Sequence, residues 1–513
     1  MGILSARHTM TSNQMARRGH AMLSLRPAAS RWAASRWAAS RWAAPLLALA
    51  VLLSTGCAVN PATGQRQLVL IGEQQEIAMG READKQIVQQ MGLYPDDELQ
   101  AYMQELGSRL AAESERPDLP WTFRVIDDPI VNAFALPGGF IYITRGIMSH
   151  FNSEAELVSV LGHEIGHVTG KHGVERASKA QLASIGIGVA AIAGAGDYAQ
   201  LASQGLGLLF LKFSRDDERQ ADDLGLRYLS RGGYYPGEMP KVFRTLERVS
   251  AAQGGGRIPA WLATHPDPGN RAERISQQIA NLPPDPNRVT INRDSYLERL
   301  EGMTFGDDPA GGYLVGNTFY HPVMKFQLDF PEGWQVNNQR QAVGAMSPNK
   351  DAIVVLSLAP QDTAEEAIRA FYAQEGIERG DNWRQGGFSY FRTAPNQAQR
   401  RIVGLAGFFP YAGEVFQLLT YTQDDKWSPN SRAMEQAIGS FRRLTDRRYL
   451  DVEAKKVDIV RLDRAMTLEE FHRRYPSTID LEALAILNGV AATDRLERGQ
   501  RIKRVVGGEL PKS

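Results

Sequence analysis

Cysteine is nearly absent: Cys57 is the only one in 513 residues, so no intrachain disulfide can form and no thiolate metal site can be built. Histidine is scarce too, with nine copies. Neither sign of charge is in excess, since Lys+Arg and Asp+Glu number 58 each, and the balance gives no electrostatic reason to expect nucleic acid as a partner. Long apolar runs are lacking as well; Ala44 to Leu53 is about half of the ~20 residues that a spanning helix needs. With 43% hydrophobic and 23% charged residues, the chain has enough core for two or three domains, which excludes disorder, collagen and a multi-span membrane protein. Any metal must be held by imidazoles and carboxylates.

Arg17, Arg18, Arg26, Arg31, Arg36 and Arg41 precede the apolar run, and small residues follow it. Basic, apolar, small is the order of a secretory signal, assigned to residues 1–56, with the SRWAA repeat from Ser30 to Ala44 as its low-complexity front. Leu53-Ser54-Thr55-Gly56-Cys57 resembles a bacterial lipobox, which implies acylation of Cys57 and a tether over 57–72. A multiply acylated N-terminus holds a protein to a bilayer. Ala58 after the cysteine resembles the outer-membrane sorting pattern. The expectation is a lipoprotein on the periplasmic side of the bacterial outer membrane, with a soluble periplasmic protein as the alternative.

Beyond the tether, the chain reads as multidomain. Residues 73–285 are mainly helical: Leu99, Tyr102, Met103, Leu106 and Leu110 recur at helical spacing. A strand pair around Pro137-Gly138-Gly139, from Phe134 to Thr144, supplies a small β edge. Pro283, Pro284 and Pro286 break the pattern, and 286–313 reads as a linker. Residues 314–446 form an α/β sandwich, with alternation at Phe326, Leu328 and Phe330, apolar runs at Ile353–Leu358 and Val415–Tyr421, and a helix at Thr363–Tyr372. Phe330-Pro331-Glu332-Gly333-Trp334 and Phe441-Arg442-Arg443-Leu444 are similar to phrases of PsbP-like domains, with an unrelated α+β domain as the alternative. Residues 447–513 resemble a small LysM module, a βααβ unit, on Thr467-Leu468, Asn488-Gly489 and Gly499-Gln500-Arg501-Ile502-Lys503. That resemblance implies peptidoglycan contact; a purely structural role is the other reading.

The chemistry sits in His163-Glu164-Ile165-Gly166-His167, an HExxH whose chance occurrence here is roughly one in a hundred. At ~100° per residue, Leu157, Val158, Leu161, Ile165 and Val168 share one stripe, while both histidines fall about 40° apart and roughly 150° from it. The imidazoles thus share a face, as two ligands of one metal must, and Gly162 and Gly166 beside them leave room for a substrate backbone. A catalytic zinc takes three protein ligands and keeps one position open. His172 sits where a continued helix points it ~140° from His167 and is rejected. Glu218 is the better third ligand, and Asp222, one turn on, is placed to hydrogen-bond a ligating imidazole.

Asn132-Ala133-Phe134-Ala135, Pro137-Gly138-Gly139, the HExxH, Ser214-Arg215 through Glu218 and Ala221-Asp222, and Thr264-His265-Pro266 with Arg271 occur in the order of one gluzincin family. It is the zinc metallopeptidase family of the HtpX heat-shock protease and the CAAX prenyl proteases, and this chain resembles its soluble periplasmic branch. The resemblance implies a zincin-type domain with one Zn2+ per chain, His163, His167 and Glu218 as ligands and Glu164 as the general base. It implies an edge strand within Phe134–Thr144 that pairs with an extended peptide, which Asn132 helps to hold. His265 either closes the fourth metal position or contacts the oxyanion, its alternative being a structural loop histidine; Arg271 reads as an ion-pair partner. The leading expectation is an endopeptidase acting on unfolded or misassembled envelope polypeptides, membrane-bound by its lipid anchor. A chaperone or assembly factor with a latent zinc site, and a peptidoglycan-tethered scaffold, are the alternatives. The Ala/Gly/Ile-rich runs Leu182–Gly194 and Leu206–Leu211 are each too short to span a membrane and read as buried helix or active-site cover.

Overall fold

The computed structural model describes residues 57–187, 213–252, 261, 264–265, 268–380, 388–395 and 400–511. The signal segment lies outside them, as do Leu206–Leu211 and the part of Leu182–Gly194 beyond Ile187. Among the described residues no helix is long and apolar enough to cross a membrane.

The first region begins with α1 (Glu73–Met91) and α2 (Asp97–Ala111). In α2, Leu99, Met103, Leu106 and Leu110 bury one stripe, and the Asp96 side chain caps the helix by accepting the Leu99 N–H. Three strands follow, β1 (Thr122–Ile126), β2 (Ala133–Leu136) and β3 (Phe140–Thr144), in the order β1-β3-β2. β3 pairs in parallel with β1 and antiparallel with β2. The expected strand pair is there, but only half of it is an edge: β3 is central, and of the two strands β2 is the one with no second strand partner among the described residues. The reason is β1, which returns to pair with β3 and buries every residue of it.

After the one-turn-and-a-half α3 (Arg145–His150) comes α4 (Glu154–Thr169), which carries the HExxH; Ser153 caps it through the Glu156 N–H. Leu157, Val158, Leu161 and Ile165 enter a core shared with Met103, Phe123, Ile141 and Ile143. The opposite face is buried too, so the helix is covered all round rather than facing open solvent. Helices α5 (His172–Ile187), α6 (Arg215–Arg231), α7 (Met239–Ala252) and α8 (Pro268–Ala280) complete the surround. Residues 286–313 are not simply a linker: they contain α9 (Arg293–Leu300), whose Tyr296, Leu297 and Leu300 are buried in the same core. The prolines before it turn the chain without ending the domain. The tether is packed as well, with Asn60, Val69 and Ile71 buried.

The second region is an antiparallel sandwich. Strands β4 (Tyr313–Val315), β5 (Thr318–His321), β6 (Phe326–Asp329), β7 (Gln335–Gln339), β8 (Ala342–Met346), β9 (Ala352–Leu358), β10 (Ile377–Arg379), β11 (Ser389–Thr393), β12 (Ile402–Tyr411), β13 (Glu414–Gln423) and β14 (Arg442–Arg443) form two sheets. Their orders are β10-β11-β12-β13-β9-β8-β7 and β14-β6-β5-β4. Alternate residues such as Val354, Leu356, Leu405 and Leu418 fill the space beneath the helix at Trp427–Gly439. Thr363 caps the expected helix, which runs Ala364–Tyr372.

The third region runs strand Lys456–Arg461, helix Leu468–Arg474, helix Leu481–Asn488, strand Arg501–Val506, the two strands pairing antiparallel. A capping box between Thr467 and Glu470 starts its first helix. It is docked on the first region: Val457 and Ile486 belong to that core, and the fully buried Lys503 Nζ donates to the Ser149 and Phe151 carbonyls, each 2.7 Å away.

Candidate metal centre

α4 and α6 come close because small residues face each other. A Cβ on Gly166 would lie 2.9 Å from the Ala221 carbonyl oxygen, and one on Gly225 would lie 2.9 Å from the His163 nitrogen. Gly162 and Gly166 therefore admit α6, not a substrate backbone, and this contact is what carries Glu218 and Asp222 to the histidines. α6 is fixed at its start by a capping box between Ser214 and Asp217.

Four buried side chains converge. One ligand atom each from His163, His167, Glu218 and His265 lies within 4.8 Å of the others. His163 Nε2 and His167 Nε2 are 3.0 Å apart, and each is 3.5 Å from a Glu218 oxygen. His265 Nδ1 is 2.9 Å from Glu218 Oε1 and 3.2 Å from His163 Nε2. Two imidazoles from α4 and a carboxylate from α6, at this separation, fit one zinc ion, a metal that takes nitrogen and oxygen donors. Trp261 stacks on His265 and Phe213 on His167, at ring-centroid distances of 4.9 and 3.8 Å.

Asp222 Oδ1 is 3.0 Å from His163 Nδ1, the nitrogen turned away from the centre. Arg271 bridges behind it, donating through Nε and Nη2 to Asp222 and lying 2.9 Å from Glu218 through Nη1. Its guanidinium is sandwiched against Phe243 and Trp261, 4.6 and 4.9 Å to the centroids. Arg274 donates a further bond to Asp222, 2.8 Å. Glu164 is fully buried, neither carboxylate oxygen has a hydrogen-bond partner among the described residues, and Oε1 is 3.6 Å from His265 Nε2. Asn132 stands just before β2, with a buried amide oxygen that is also without a partner among the described residues.

The charges are set by these neighbours. Burial pulls the Glu218 carboxyl up, but His265 and His167 outweigh it and hold it well below the usual range. Burial likewise opposes ionisation of Asp222, and Arg271 with His163 overcomes it. Glu164 lacks such compensation; burial raises its pKa despite His265 and His163. Burial lowers His167 and His172.

His172 is not among the converging donors. Its Nδ1 is 3.0 Å from His167 Nδ1, and its Nε2 is 2.6 Å from Gln220 Oε1. Reading the sequence misses this support from Gln220; the one signal was His172 itself, whose ~140° angle from His167 on a continued helix argued against contact. The helix instead breaks at Gly170-Lys171, and Lys171 takes a φ of 57°.

An HExxH helix clasped by a second helix whose Glu218 lies among the clustered donor atoms is the arrangement of a metallopeptidase-type domain. Residues 97–279 match the model of peptidase family M48, so an M48 peptidase domain is present in this part of the chain. The chain is 36% identical over 169 residues to mitochondrial metalloendopeptidase OMA1 of Arabidopsis thaliana, covering 33% of each protein. It is 30% identical over 255 residues to the beta-barrel assembly-enhancing protease of Yersinia pestis, covering 46% of this chain and 50% of that one. The chain thus spans a third to a half of the length of these relatives. The solved cyanobacterial PsbP of Synechocystis shares 15% identity over 25% of this chain and 91% of its own, with a TM-score of 0.17, too low to bear on the second region.

Proposed function

We propose that this chain is a zinc-dependent endopeptidase that cleaves unfolded or misassembled cell-envelope proteins. One observation carries the reading: the donor atoms of His163, His167 and Glu218 cluster within 4.8 Å while Glu164, next in sequence to His163, keeps a carboxylate with no hydrogen-bond partner among the described residues. His163, His167 and Glu218 would hold the ion. The chemistry zinc supplies at such a site is Lewis acidity, polarising a peptide carbonyl and lowering the pKa of water. Glu164 takes a proton from the attacking water and returns it to the leaving amine. Asp222 fixes the His163 ring, and Arg271 neutralises the paired carboxylates behind it. The outer edge of β2, with which no other strand pairs among the described residues, offers main-chain hydrogen bonds to an extended peptide, and the Asn132 amide oxygen offers an acceptor.

The names of the relatives, a beta-barrel assembly-enhancing protease and a mitochondrial metalloendopeptidase, support protein substrates and a place in envelope quality control. The kinship to the HtpX and CAAX prenyl proteases, the signal with an acylated Cys57 on the periplasmic face of the outer membrane, and a LysM-like role for 447–513 at peptidoglycan belong to the same proposal. So does the division into a 73–285 peptidase, a 314–446 PsbP-like domain and the C-terminal module. A second reading, a latent site in a chaperone or assembly factor, is favoured by His265 Nδ1 lying among the donors and by the Trp261 and Phe213 rings over them.

Unfolded casein, incubated with the protein with and without chelator and beside Glu164→Gln, tests the mechanism. Cleavage that is lost on chelation and in Glu164→Gln is expected. Equal cleavage by both forms rules the mechanism out, and cleavage by neither favours the latent reading. Zinc content of the wild type against Glu218→Ala tests the ligand set directly; equal content removes Glu218 from it.

A further inference from the structure

Asn60 is 1% exposed in the segment expected to be a tether. Its Oδ1 accepts the N–H groups of Ala62 and Thr63, at 2.9 and 3.3 Å, and these peptide donors leave the amide only one orientation. Nδ2 must therefore face the other way, where it donates to Gln220 Oε1 at 2.9 Å and to the Gly170 carbonyl at 3.3 Å.

From there, each bond dictates the next. Gln220 presents its oxygen to Asn60, and the same oxygen is 2.6 Å from His172 Nε2, so that nitrogen carries the proton. A neutral His172 then has a bare Nδ1, and His167 Nδ1, 3.0 Å away, is its donor. His167 with its proton on Nδ1 turns a lone pair on Nε2 toward His163 and Glu218. The packing enforces the path: a Cβ on Gly170 would lie 2.6 Å from His172 Nε2 and 2.8 Å from Gln220 Oε1.

We infer that Asn60 is a positioning residue of the metal centre, fixing through Gln220 and His172 the tautomer in which His167 binds metal. This rests on the metal-site reading above and extends it to the segment just after Cys57. The N-terminal strap is thereby part of the site.

The test is zinc affinity of the full chain by chelator competition. Asn60→Ala is expected to weaken binding by up to ~10-fold, the lower end of the range for a direct partner of a ligating histidine, because Asn60 acts through Gln220 and His172. Gln67→Ala, which removes only the strap's other bond to the Gly170 carbonyl, is expected to bind as wild type. Gln220→Glu in the Asn60→Ala background restores affinity, because a carboxylate can only accept from His172 and no longer needs Asn60 to orient it. Unchanged affinity in Asn60→Ala, or no rescue by Gln220→Glu, overturns the inference. Should Asn60→Ala not fold, 15N-histidine NMR of the zinc-loaded wild type decides: His172 protonated on Nε2 is expected, and protonation on Nδ1 overturns it. A wild type that binds no zinc defeats the metal-site reading itself, before any variant is compared.

Discussion

Replacing Arg116 with methionine removes a buried strut between the two sides of the site. The guanidinium pairs in parallel with Glu76, Nη1 to Oε1 at 2.8 Å and Nη2 to Oε2 at 2.9 Å, while Nη2 also reaches Glu73 at 3.0 Å. Nη1 further donates to the Val168 carbonyl, 3.0 Å, at the last turn of α4. Glu76 in turn accepts the Gly138 N–H at 3.1 Å, in the turn that closes β2 onto β3, where Gly138 holds a φ of 82°. Metal helix and edge strand are thus tied through one ion pair, 6% exposed on the arginine and 1% on the glutamate. Removing one partner leaves a buried charge, which costs ~3–5 kcal/mol. For a domain of ~200 residues this amounts to a melting point lowered by roughly 6–20 °C. Circular-dichroism melts of the full chain measure it, with kcat/KM on an unfolded substrate as the functional readout. Glu76→Gln combined with Arg116→Met removes both charges and should recover at least half of the loss. A melting point for Arg116→Met within about 2 °C of wild type would refute the reasoning, since ~1 kcal/mol is all that such a shift allows.

Other consequences are open to measurement. Zinc at about 100 times its Kd should stabilise the wild type by ~2.7 kcal/mol and leave Glu218→Ala unmoved in the same melts. Lys503→Met orphans two carbonyls of the first region, at ~1–3 kcal/mol each, so hydrogen exchange should rise at α3 and the start of α4 as well as in the third region; a rise confined to the third region counts against the coupling. Glu156 is fully buried, and burial, offset by the Asn152 N–H and Lys503 but reinforced by Glu238, pushes its pKa up from 4.5 to about 7. The folded state therefore holds this proton more tightly than the unfolded chain, and stability present below pH 4.5 is lost as pH rises through about 7. The advantage of Glu156→Gln over wild type should grow between pH 5 and 8 in urea titrations, and a pH-independent difference would show that the group does not titrate there.

Much of the site was legible because its chemistry is local. The spacing of His163 and His167 puts two imidazoles on one helix face whatever the fold, and the same periodicity places Glu218 and Asp222 together on α6. The β2–β3 pair was legible from strand formers around a turn that needs two positive-φ glycines. Where the expectation failed, the missing information was long-range. Gly162 and Gly166 looked like space for substrate, but a small residue says only that something approaches, and it is α6. The linker at 286–313 hid α9 because three prolines mark a turn without saying whether the chain returns to the core. Phe134–Thr144 lost half its edge to β1, a parallel pairing that no local pattern announces.

The amino-acid sequence alone placed His163 with His167 on one helix face and Glu218 with Asp222 on another, since donor types, helical period and capping act within a few residues of one another. Only the tertiary structure decided that His265 joins the donors, that His172 and Asn60 stand behind His167, and that Lys503 braces the helix before the site. Those contacts join residues from 5 to 354 positions apart, and their geometry is set by burial of the common core rather than by any neighbour in the chain.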